Sequence, residues 1–219
     1  MSGKPQQYDD HGQPAYAPEV GVGAHPLPWP TDERYDKELL AAGDRRNILD
    51  CYRYWNVAAI VADLDLRRHP FEVAIENLAH DMNIGTVVRS ANAFMARRIH
   101  IVGRKRWNRR GAMVTDRYQH IEYHVDSRTL IDHAREQQLP IIGIDNLPGS
   151  QPIEHAKLPE RCILLFGQES TGLSAAAVAA CDSVYAISQF GSTRSINAGV
   201  AAGIAMHTWI SQHAKIPNG

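Results

Sequence analysis

From Phe71 onward, short apolar runs alternate with segments whose apolar residues recur every three or four positions. The runs Phe71 to Leu78, Ile99 to Gly103, Pro140 to Asp145, Cys162 to Phe166 and Ser183 to Ile187 have strand length. Between them, helical spacing predicts helices from Ile84 to Met95, from about Thr129 to Gln137, from Ser174 and from Ser195. The helix at Ile84 carries Ile84, Val87, Val88, Ala91, Phe94 and Met95 on one stripe, with Arg89 off it. Strands alternating with helices predict an α/β fold, a mostly parallel sheet with helices on both faces. Before this region, Ile48, Tyr52, Trp55, Ala59 and Ile60 predict an amphipathic helix from Arg45 that ends before His69-Pro70. Residues 1–34 are rich in Pro, Gly, Gln and His and lack such spacing, so a disordered tail is expected there. The expected organisation is a tail (1–34), a helical extension (35–70) and one α/β domain (71–213).

Composition adds limits. The chain has 219 residues, 44% hydrophobic and 21% charged, enough for one ordinary core without staples. Cys51, Cys162 and Cys181 are widely spaced and form no C-x-x-C pair, which points to a reducing compartment. The first residues contain no apolar signal region, and no window reaches the roughly 18 apolar residues of a membrane span, so a cytoplasmic protein is expected. The net charge of −1 hides an uneven distribution. Residues 97–117 hold eight basic residues against the single acid Asp116, whereas residues 1–50 hold five basic and nine acidic. Arg104, Lys105, Arg106, Arg109 and Arg110 surround Trp107, a composition that suits phosphate contacts plus stacking on an unpaired base, and equally a solvated surface. His120 and His124 lack the carboxylate of an H-E-x-x-H pattern, so no metal site is expected.

Ligands of open α/β sheets bind beyond the carboxyl ends of strands, which directs attention to the loops after Asp145, Phe166 and Ile187. Gly167-Gln168-Glu169-Ser170-Thr171-Gly172-Leu173-Ser174 has the glycine spacing of a phosphate-binding loop, but Leu173 stands where its lysine belongs, which disfavours nucleotide-triphosphate hydrolysis. The glycines remain compatible with another adenosine-bearing ligand or with a tight turn. After Ile187, Ser195 is a natural N-cap, and Asn197 can cap or contact a ligand. The helix that follows is small-sided through Ala198, Gly199, Ala201, Ala202 and Gly203, which suits close backbone packing.

Together and in order, these segments resemble the three motifs of the SpoU (TrmH-like) RNA ribose methyltransferases, a branch of the trefoil-knotted SPOUT class. The match runs through Asn83-x-Gly85-x-Val87-x-Arg89-Ser90-Ala91, then Leu165-Phe166-Gly167-x-Glu169-x-x-Gly172-Leu173, then Ile187 to Ser195-Ile196-Asn197, within roughly residues 71–212. The resemblance implies a C-terminal knot, a homodimer, and methyl transfer from S-adenosyl-L-methionine to a ribose 2′-hydroxyl of tRNA or rRNA. A compact dimer without an added recruiting domain suits a small substrate, so tRNA is the expected RNA. It implies cofactor contacts from Gly167, Ile187, Gln189, Ser195 and Ile196, a catalytic Arg89, and support from Asn83, Glu169 and Asn197. The third motif usually has Pro after its isoleucine; here Ser188 follows, which leaves the loop's φ unrestrained. The competing expectation is an RNA-binding or ribosome-assembly protein that keeps the fold without turnover.

Overall fold

A computed structural model describes residues 21–77 and 83–215. Most of the expected tail, residues 1–20, lies outside them. The described residues divide into two compact units, one ending at Ala62 and the other beginning at Asp63. Among the described residues, no helix is long and apolar enough to cross a membrane.

In the first unit, α1 (Lys37–Ala42) is capped by Asp36, whose side chain accepts from the Glu38 and Leu39 N–H groups. Residues 21–34, expected as tail, are held mainly by backbone rather than by an apolar face. Val22 exchanges two 2.9 Å hydrogen bonds with Asp44, the His25 N–H donates to Leu40, and the Tyr54 hydroxyl donates to Gly23 at 2.6 Å. The helix expected from Arg45 also begins later. A 3-10 turn occupies Asp50–Tyr52 and α2 starts at Val57 (Val57–Asp65), where the Asn56 side chain accepts from the Ala59 N–H at 2.8 Å. The cause is Asp44, fully buried, whose carboxylate takes the backbone N–H of Arg46 and of Tyr54 and so draws this stretch into a loop.

The second unit is a sheet of seven parallel strands: β1 (Glu72–Asn77), β2 (Ile99–Gly103), β3 (Ile121–His124), β4 (Ile141–Ile144), β5 (Gln151–Pro152), β6 (Ile163–Phe166) and β7 (Ser183–Ala186). Their order is β3-β2-β1-β6-β4-β7-β5. One face packs Val73, Ile75, Ile99 and Ile101 against α3 (Ile84–Ala93) and α6 (Ala198–His213). The other packs Ala74, Val102, Ile163 and Leu165 against α4 (Ser127–Glu136) and α5 (Ala175–Ala180). This is the expected α/β architecture. The two strands that the pattern did not predict lie at the sheet's edges. β3 is mostly half-buried and carries Glu122 and His124; β5 is two residues long and contains Pro152, which edge positions tolerate. The last helix begins at Ala198 rather than Ser195. Asn197 is its cap, accepting from the N–H groups of Gly199 and Val200, while Ser195 lies exposed in the preceding loop.

Candidate functional site

The adjacent strands β6, β4 and β7 end side by side, and the loops that follow them form a cleft of about 310 Å³. Its walls come from Asp145 to Leu147, from Gly167 to Gly172, and from Ile187, Gln189 and Arg194 to Ile196, with Ala198 and Ala201 at the start of α6. All five residues expected to contact a cofactor, Gly167, Ile187, Gln189, Ser195 and Ile196, line this cleft, as does Glu169.

Each loop is fixed by contacts that local sequence spacing does not announce. Gln168 and Gly172 exchange backbone hydrogen bonds of 3.0 and 2.9 Å, closing a turn in which Gly172 has φ +67°. A Cβ on Gly167 would lie 2.1 Å from the Gly172 carbonyl carbon, so only glycine fits there. The Asp145 carboxylate accepts from the N–H of Asn146 and of Leu173, both at 2.7 Å, joining the loop after β4 to the loop after β6. Glu76, a buried carboxylate at the end of β1, accepts from the Ser174 N–H at 2.8 Å and its hydroxyl at 2.7 Å, and so anchors the far end of the same loop. In the third loop, Ser188 donates its N–H and its hydroxyl to the two oxygens of Glu154, each at 3.0 Å. Burial opposes ionisation of Glu154, but its own backbone and these two Ser188 donors hold its carboxyl below the usual range. Proline could not make the N–H contact, so the restraint that a ring would give is supplied here by a carboxylate.

Beside the cleft, three side chains from three elements meet. Asn197 donates through Nδ2 to Asn83 Oδ1 at 2.8 Å and lies 3.2 Å from both Glu169 oxygens; Asn83 Nδ2 also donates to Glu169. Asn197 Oδ1 meanwhile caps α6, so this residue joins the helix start to Asn83 and Glu169. The Glu169 carboxylate also faces the Ala198 N–H at 3.4 Å, where the N-terminus of α6 favours negative charge. Two further acceptors, Gln168 Oε1 and Gln189 Oε1, are buried at the cleft without a hydrogen-bond partner among the described residues. Buried acceptors call for donors, and a ligand carrying amino and hydroxyl groups supplies them. Together with the glycine cradle, these atoms suit an adenosine-bearing ligand.

Arg89 is exposed on α3, outside the set of cleft-lining residues, and forms no ion pair among the described residues. The basic loop packs against the start of its helix. A Cβ on Gly85 would lie 2.8 Å from the Gly111 Cα and from the Ala112 N, so the first motif's glycine lets the loop's backbone rest on α3. Arg104, Lys105, Arg106, Arg109 and Arg110 are all exposed. Trp107 corrects its expectation. It is 8% exposed within the α3-side core, with Nε1 3.4 Å from the Tyr123 hydroxyl and the Arg109 guanidinium 5.5 Å from its ring, so it anchors the loop and offers no free face for a base. Sequence reading missed Glu76, Asp145, Glu154, Gln168 and Arg194. A carboxylate directly after the apolar run Val73-Ala74-Ile75 was the available signal for Glu76.

The sequence model of the SpoU rRNA Methylase family matches residues 70–207. A tRNA (guanosine(18)-2′-O)-methyltransferase of Borreliella burgdorferi is 24% identical over 161 residues, covering 72% of this chain and 74% of its own. An uncharacterized tRNA/rRNA methyltransferase of Mycobacterium avium is 32% identical over 149 residues; the match covers 61% of this chain but only 45% of that protein. The SpoU methyltransferase AviRb from Streptomyces viridochromogenes, solved in complex with the cofactor AdoMet, superposes with a TM-score of 0.60 at 23% identity, over 68% of this chain and 63% of that one.

Proposed function

The chain belongs to the SpoU rRNA methylase family, and on that footing we propose that it transfers a methyl group from S-adenosylmethionine to a ribose 2′-hydroxyl of RNA, with tRNA as the preferred substrate. The observation that carries this reading is the cleft at the ends of β6, β4 and β7, flanked by the Asn83–Glu169–Asn197 cluster. The likeness to a tRNA-modifying relative along most of both chains supports the choice of tRNA.

S-adenosylmethionine, when bound, supplies an electrophilic methyl on a sulfonium. Gly167, Ile187 and Ile196 would hold it through backbone, and Gln168, Gln189 and Ser195 through side chains. In-line displacement depends mainly on orientation, which fixed loops can provide. Glu169, held by two carboxamides and the first turn of α6, fixes the relative position of α3, the second-motif loop and α6. The part of the Arg89 guanidinium is to orient the 2′-hydroxyl and a neighbouring phosphate and to stabilise developing negative charge. The exposed arginines of the 104–110 segment, carried on the same helix start, would take up backbone phosphates. On α6, Val200 and Ile204 are exposed one turn apart, and nothing lies within 4 Å of a Cβ built at Gly203. A second copy of the chain packing there would form the homodimer. The same reading carries a knotted domain over residues 71–213 and a cytoplasmic location.

The test is methyl transfer from labelled S-adenosylmethionine into total tRNA and rRNA, with 2′-O-methyl positions mapped by sequencing. Arg89→Ala is expected to lower turnover about a hundredfold, the size of effect seen when one donor to a developing charge is removed, while cofactor affinity stays within about threefold. RNA binding without cofactor binding or methyl transfer would instead establish the non-catalytic alternative.

A further inference from the structure

We propose that a buried histidine–glutamate cluster beneath α4, separate from the methyl-transfer cleft, binds a late first-row divalent cation of the Zn²⁺ class through Glu72, His100 and His133. Register brings the group together. His100 on β2 lies opposite Ala74 on β1 and Glu122 on β3, and Glu72, two residues before Ala74, shares its face. α4 covers that face and contributes His133. Glu72 Oε2 stands 2.8 Å from His100 Nε2 and 3.1 Å from His133 Nε2, and the three candidate ligand atoms lie within 4.8 Å of one another. Three ligands at about 2.0–2.1 Å from one tetrahedral ion would be roughly 3.3 Å apart. The two distances from Glu72 need open by only a few tenths of an ångström.

The chemistry of the donors fits. His100 is fully buried and the Glu72 side chain is 4% exposed. The Glu72 carboxylate faces one nitrogen of each imidazole, so three donor atoms converge on one point. Two imidazoles and one carboxylate select Zn²⁺, Co²⁺ or Ni²⁺ over Mg²⁺ or Ca²⁺, which prefer all-oxygen sites. An outer contact is in place for His100. On metal binding each ligand histidine carries its proton on Nδ1; that of His100 faces His124 Nε2 at 2.8 Å, while that of His133 points toward Glu122 Oε1 at 3.9 Å, beyond hydrogen-bond reach. Glu122 is in turn fixed by Arg98 at 2.5 Å. Such outer partners orient metal-binding imidazoles. His133, the most exposed of the three at 11%, marks the side from which an ion enters.

The experiment uses the full chain, stripped with a chelator and titrated with Co²⁺ and then Zn²⁺. The expected result is one equivalent per chain, a visible Co²⁺ ligand-field band bleached by Zn²⁺, and a melting temperature raised by several degrees with Zn²⁺ but not with Mg²⁺. His133→Ala, at the rim of the cluster, should reduce Zn²⁺ affinity at least a hundredfold, and His155→Ala, an exposed histidine elsewhere, should leave it unchanged. X-ray absorption of the Zn²⁺-loaded wild type decides independently of any variant's folding: two imidazoles and a carboxylate oxygen are expected. Less than about 0.2 equivalents bound, or a different ligand shell, would overturn the proposal and leave the cluster as a hydrogen-bond relay.

Discussion

Asp44 accepts four hydrogen bonds, from the Arg46 N–H, Nε and Nη2 and from the Tyr54 N–H, at 2.7 to 3.0 Å. Burial alone would raise its pKa; the Arg46 guanidinium and the two backbone donors more than offset this and hold it at about 2, against an ordinary 3.8. A folded-state pKa below the unfolded one stabilises fully above about pH 4, and that stabilisation is lost as pH falls through 4 toward 2. The shift corresponds to about 2 kcal/mol at neutral pH. Asp44→Asn should therefore speed amide exchange across residues 21–56 about thirtyfold at pH 7, with the gap to wild type closing as pH falls from 4 to 2. A gap that persists at pH 2 would mean that packing of the side chain, not its charge, organises the segment.

At the scale of elements, Gly85 joins a helix to a loop. Alanine in a helix interior ordinarily gains about 1 kcal/mol over glycine, yet here the methyl would meet the Gly111 Cα and the Ala112 N at 2.8 Å, backbone atoms that cannot rotate aside. Overpacking of that kind costs about 1–3 kcal/mol, so the net sign is destabilising. Gly85→Ala should push the 104–112 segment off α3 and weaken RNA binding several-fold, while leaving S-adenosylmethionine affinity unchanged, because Gly85 is not among the residues lining the cleft. Isothermal titration with each ligand separates the two effects. The same contrast explains what the sequence could show. β4 and β6 were legible because continuous apolar runs are what a strand buried between two helical layers requires, and β1, β2 and the half-buried β7 because apolar residues still dominate them. β3 and β5 were not, since edge strands can be short, polar or proline-bearing. The cleft was legible because glycines and small polar residues cluster where strands end. Its fasteners were not: Glu76 meets Ser174 across 98 residues of sequence and Ser188 meets Glu154 across 34, distances over which no local spacing carries information. The start of α6 was misplaced by three residues because serine and asparagine are equally good caps, and only the meeting of Asn197 with Glu169 decides between them.

For the molecule as a whole, a net charge of −1 gives no general attraction to RNA, so binding must be set by where the positive groups lie. Within the sheet unit, the basic loop rests on α3, and α4 covers the opposite face with its own exposed Arg128 and Arg135. At physiological salt, charges more than about 8 Å apart are largely screened, so the two faces act independently. Arg104, Lys105, Arg106 and Arg110 are exposed and free of ion pairs among the described residues, whereas Arg109 shares its charge with Asp116 at 3.3 Å. Each phosphate neutralised contributes about −0.7 to the slope of log K against log salt for single strands and about −0.9 for duplex. Four contacts therefore give a slope of about −2.8 to −3.6. Replacing Arg104 and Arg106 together with alanine should flatten it by about 1.4 to 1.8 and weaken binding at every salt concentration, whereas Arg135→Ala should change neither. Fluorescence anisotropy with a labelled tRNA between 50 and 300 mM salt measures both quantities. An equal loss from Arg135→Ala would place the RNA across the α4 face instead, and would remove the basic loop from the binding surface.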